Sequence, residues 1–163
     1  MSGTDLRPLP NTPSTATISQ YNNNRLGAVF SSLHGFWTSR QAAFNAVGQN
    51  AAIARRDAYS MVLFGSWATT CISNDFTSSP DDLLNGIAAY RALGWTNYTK
   101  ALAAAQSDMV QHWSNERCAI HMGHSRRRLT SHRSPVLIFL SDGECSVSDE
   151  TVRSVCRAAI DHG

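Results

Sequence analysis

Apolar positions fall into a helical period once the chain passes Arg25. Leu26, Val29, Phe30, Leu33, Trp37, Phe44 and Val47 share one face, which predicts an amphipathic helix over 25–47. The polar stretch 48–57 (GQNAAIARRD) predicts a connection. The period then changes: YSMVLFG (59–65) is a short, wholly apolar run, the pattern of a strand covered on both faces. WATTCIS (67–73) is rich in Thr and apolar residues and reads as its hairpin partner. Gly65-Ser66 supplies the turn, and so tight a turn forces antiparallel pairing. Three more helices are predicted at 78–93, 96–113 and 148–163, and one more buried strand, PVLIFL, at 135–140.

The helix starts carry chemical signals. Ser79 suits a cap, Pro80 the first helical position, and Asp81 and Asp82 the positive end of the helix dipole. Gly94 suits a stop. Ser148 reads as the cap of the last helix, with Asp149 and Glu150 in its first turn. Residues 1–24 hold three of the five prolines (Pro8, Pro10, Pro13) and no apolar period, so a flexible leader is expected there. CAIHMGHSRRRLTSHR (118–133) also breaks the rhythm. It carries four arginines and three of the six histidines. Without it the helix-to-strand connection has ordinary length, so besides a basic binding loop it reads, more simply, as an insert looped out of an otherwise complete domain or as a gene-model error. Strands alternating with helices indicate an α/β domain.

Bulk properties narrow the function. The chain has 163 residues, 42% of them hydrophobic and 16% charged, which suits one globular domain. A formal charge of +2 does not point to nucleic acid. No apolar run approaches the roughly 20 residues a bilayer span needs, and the first residues lack the pattern of a signal peptide. Four cysteines (Cys71, Cys118, Cys145, Cys156) stand apart without a CxxC pair, so thiols in the cytoplasm are expected rather than disulfides. Cys118, His121, His124 and His132 are zinc-type residues, but their spacing matches no structural zinc pattern and a solvated basic loop is the simpler reading. The same holds for Arg126, Arg127 and Arg128 as a charge run. There is no nucleophile elbow, P-loop or dinucleotide fingerprint. An enzyme is not expected.

Three stretches in order, RRDAYSMVLFG (55–65), GWTNYTKALAAAQ (94–106) and PVLIFLSDGE (135–144), resemble the von Willebrand factor A (VWA) domain family, and look like its intracellular fungal members. The resemblance covers 25–163 apart from the insert. It implies a Rossmann-like, three-layer α/β domain with a mostly parallel sheet, one antiparallel edge strand and helices on both faces. It also implies a metal-ion-dependent adhesion site, to which Thr96 and Asp142 correspond by position. Hydroxyl and carboxylate oxygens suit Mg²⁺, and a partner protein's carboxylate can complete the shell. The family's Asp-x-Ser-x-Ser loop has no counterpart before Arg25: Asp5 is followed by Leu6-Arg7-Pro8-Leu9. The site is therefore expected to be a remnant that holds Mg²⁺ weakly or has lost it. The chain is expected to be an internal, truncated piece of the domain.

Other roles for the same residues stay open. Thr96 can cap the helix after Gly94, and Asp142-Gly143 can make an ordinary turn. Ser141 is either a neighbour of the cation shell or a loop hydroxyl, and Glu144 is expected in solvent. Trp37 is expected in the core and Trp95 on a contact surface. The expected function is a VWA-type protein–protein interaction module with an unknown protein partner. The alternatives are a metal-dependent hydrolase using Asp142 with His121 or His124, and a fragment without function.

Overall fold

The computed structural model describes residue 9 and residues 11–46, 57–91, 94–121, 136–141 and 145–162. In chain order the elements are α1 (Thr15–Ser19), α2 (Arg25–Ala46), β1 (Tyr59–Phe64), β2 (Ala68–Asp75), α3 (Pro80–Ala88), α4 (Tyr98–His121) and α5 (Asp149–His162). They divide into two compact units. One comprises 1–60 and 71–95, the other 61–70 and 96–163.

The first unit is built on α2 and α3, which pack together, with α1 against α2. Its core is Ile18, Leu26, Phe30, Trp37, Leu83, Leu84 and Ile87, with Ile72 from the hairpin. The observed α2 matches the expected helix closely, and Trp37 is buried as expected. Residues 11–24, which fall within the expected leader, carry α1 and a buried side-chain network. Ile18 is fully buried, and Thr12 Oγ1 lies 3.2 Å from Ser31 Oγ on α2. Asn22 is also buried, and its amide donates to the carbonyls of Ala88 and Tyr90, each at 2.8 Å. Those are carbonyls at and just beyond the end of α3, which an α-helix leaves unpaired. α3 stops at Ala88, short of the expected 93, and the buried Asn22 amide satisfies carbonyls at its end. A Cβ on Gly27 would overlap the carbonyl oxygen of Asn22, so glycine lets α2 approach this turn.

Ser79 caps α3 as expected. Its Oγ accepts from the Asp82 N–H while the Asp82 carboxylate accepts from the Ser79 N–H at 3.2 Å, a reciprocal capping box. The preceding turn is held by Asp75, whose carboxylate accepts from the N–H groups of Thr77 and Ser78, both at 2.9 Å, and from Ser78 Oγ at 2.7 Å. Asn74 takes a positive φ of 46° there, a conformation asparagine tolerates better than most residues. Arg40 closes α2 onto Asp57 through Nε (2.6 Å) and a second guanidinium nitrogen (3.2 Å).

β1 and β2 form a two-stranded antiparallel hairpin. Its connection is three residues, Gly65 to Trp67, one more than expected, and the Gly65 N–H donates to the Trp67 carbonyl at 2.8 Å.

The second unit pairs α4 with α5. Ala101, Val155 and Ala158 are buried, small enough for close approach of the two helices, and Gln106 Nε2 donates to Ser154 Oγ at 3.1 Å. Ser148 caps α5 through the Thr151 N–H at 3.2 Å, as expected. The α4 helix runs on to His121, eight residues past its expected end, so the stretch 118–133 begins inside a helix and is not looped out from its first residue. The added residues, SNERCAIH (114–121), hold no Gly or Pro to break the helix.

The expected strand 135–140 is corrected. Residues 136–140 form no strand, and their side chains are exposed, from 41% at Phe139 to 81% at Val136. A strand needs a neighbour to pair with, and the described residues hold no sheet beyond the hairpin. The architecture is α/β in the general sense. The mostly parallel, three-layer sheet expected from the resemblance is not found among the described residues.

Candidate cation site

Of the two expected cation ligands, Thr96 is described and Asp142 is not. Gly143 and Glu144, and the histidines His124 and His132, also lie outside the described residues, as do the side chains of Cys118 and His121. Thr96 lies half-buried in the connection before α4. It does not cap that helix. Asn97 does, accepting through Oδ1 from the Lys100 N–H at 3.0 Å and through its carbonyl from the Ala101 N–H at 3.2 Å. Asparagine outranks threonine at such positions. The cap thus lies one residue beyond Thr96, the position expected from the sequence. Gly94, just upstream, has φ 78°, which only glycine adopts without strain.

Two residues beyond Thr96, the Tyr98 ring meets Phe139 edge-on (centroids 5.1 Å apart) and Phe64 edge-on (6.0 Å). Phe64 and Phe139 stack on each other at 5.2 Å. Tyr98 Oη lies 2.7 Å from Ser141 Oγ, and Ser141 immediately precedes Asp142. The start of α4 and the end of the 136–141 segment are therefore bound to each other by one hydrogen bond and one ring contact, and Phe64 of β1 touches both rings. Nothing in the sequence pattern singles out Tyr98, because its partners come from 34 residues earlier and 41 and 43 residues later in the chain.

Beside this cluster, at the hairpin turn, Lys100 Nζ sits 3.7 Å over the Trp67 ring and donates to the Ser66 carbonyl at 3.3 Å. Trp95, expected on a contact surface, is 87% exposed.

The donor chemistry at this end of the second unit is oxygen-based: the hydroxyls of Thr96, Tyr98 and Ser141. Such donors suit a hard cation but carry no charge, so they leave most of a Mg²⁺ shell to water. Among the described residues no cluster of three His, Cys, Asp or Glu side chains could hold a metal. No described helix is long and apolar enough to cross a membrane.

Comparison of the chain with protein-family models, with curated proteins and with solved structures finds no match.

Proposed function

We propose that the chain is a protein–protein interaction module of the VWA type with a degenerate cation site. Thr96 and Asp142 are its ligands and Mg²⁺ is the cation. When bound, the ion would offer a charged contact for an acidic group of the partner protein. Thr96 contributes a neutral hydroxyl and Asp142 the one carboxylate, so affinity for the cation is low and docking depends on the partner's own carboxylate. The spacing of the cysteines fits a cytoplasmic module.

The observation that supports this reading is the 2.7 Å hydrogen bond between Tyr98 and Ser141. It joins the segment that bears Thr96 to the residue preceding Asp142.

The test is a calorimetric titration of Mg²⁺ into the wild type and Asp142→Ala. Saturable heat in the wild type that disappears in the variant is expected. Equal heats from both remove Asp142 as a ligand.

A further inference from the structure

We infer that the uncovered run 136–140 is the contact through which two copies of this chain associate, each pairing its run antiparallel with that of the other. The run is five apolar residues without a charge. Its exposure alternates, from 81% at Val136 to 54% at Leu137, 62% at Ile138, 41% at Phe139 and 47% at Leu140. A period of two is that of extended backbone, with Val136, Ile138 and Leu140 on the outer face. The other face is turned to the protein: Phe139 stacks on Phe64 and meets the Tyr98 ring, and Ser141, two residues on, bonds Tyr98 Oη. The run is thus held at one end by its inner face while its outer face stays bare.

Among the described residues the run has no ladder partner. Extended backbone without one is a template for a strand from another chain. Together the five residues leave on the order of 500 Å² accessible, a patch of the size that marks a contact site on a monomer. Two such patches bury at most about 1,000 Å², the lower limit of a specific interface, so the dimer is weak and concentration-dependent.

The run fits a second copy of itself. A two-fold pairing centred on Ile138 sets Ile138 against its own counterpart and Val136 against Leu140, which keeps apolar on apolar as an isologous contact requires. Charge in the sequence sets the direction. Arg133 precedes the run and Asp142 follows it, so antiparallel pairing brings the basic flank of one copy to the acidic flank of the other. Parallel pairing would set like charges side by side.

Sedimentation velocity of the full chain between about 1 and about 500 µM tests the pairing, and a monomer passing to a dimer with a Kd of about 10–100 µM is expected. Hydrogen exchange at the upper concentration should show protected amides at 136–140, and the protection should vanish on dilution. Ile138→Lys puts a charge at the centre of the pairing on a side chain that is exposed in the monomer. It should keep the melting temperature of the monomer and weaken association by about tenfold or more. Val136→Lys, at the most exposed position, should do the same and keeps the test decisive if one variant fails to fold. A chain that stays monomeric throughout overturns the pairing and leaves the run to a strand of a different protein. A dimer that both lysine variants form as tightly as the wild type overturns it too, as does one whose 136–140 amides exchange freely. Fibrils growing in place of a dimer overturn the closed, two-fold contact.

Discussion

Asn22 shows what one buried polar side chain does in this chain. Its amide meets two carbonyls at the end of α3, so truncation strands the buried Ala88 acceptor away from water. Asn22→Ala should lower the stability of the first unit by about 1–3 kcal/mol, measured by urea unfolding. Asp75 makes a second residue-scale case. Hydrogen bonds from the Ser78 hydroxyl, then from the Ser78 and Thr77 N–H groups, hold its pKa below the usual carboxylate value. A depressed folded pKa means that the stability Asp75 adds is present above about pH 3.9, the unfolded value. That contribution disappears as pH falls through the lower folded value. Asp82 follows the same sign, through the Ser79 hydroxyl and N–H. The melting temperature of Asp75→Ala should therefore sit below the wild type at pH 6, with the gap closing as the pH is taken down toward 2. A gap that stays constant over that range rules Asp75 out as the titrating group. Cap residues were largely legible beforehand, because they act on their own helix within three or four positions. Ser79 and Ser148 do what their neighbours in sequence imply. Thr96 yielded to Asn97 because the better acceptor stands next to it.

Among elements, helices were legible and the second buried strand was not. Helical periods can be read within a single segment, and α2 and α5 lie where their apolar spacing puts them. The short α1 was not foreseen, and among the expected helices the ends moved: α3 ends at Ala88, where Asn22 arrives from 66 residues away, and α4 runs on past its apolar period. PVLIFL is different. Composition tells that a segment could be a buried strand, but pairing partners decide whether it becomes one. The two conformations differ in what a charge would cost. In a buried strand, Ile138→Lys would strand an ammonium in the core and cost several kcal/mol. On the exposed segment seen here it should change stability by no more than about 0.5 kcal/mol. Thermal melting of the variant distinguishes the two.

For the whole molecule, the described residues divide into two compact units, and the residues of the hairpin are divided between them. A local pattern cannot reveal such a division, since each helix looks equally amphipathic whichever neighbour covers it. Units with separate cores can open separately. Ala158→Asp, which buries a carboxylate between α4 and α5, should strip amide protection from those two helices in hydrogen exchange and leave that of α2 and α3 in place. Equal loss in both units would mean that they unfold as one. The candidate site was legible only as residue types. Thr96 could be matched by motif, whereas the bond joining Tyr98 to Ser141 arises from the tertiary arrangement.

The uncovered run from Val136 to Leu140 also bears on handling of the protein. Five uncharged, strand-forming residues in solvent are the kind of sequence that seeds intermolecular cross-β stacking. In the sequence, Arg133 stands before the run and Asp142 after it, placed as charged gatekeepers against such stacking. Neutralising either one should lower the concentration at which the protein precipitates, and salt, by screening both charges, should do the same.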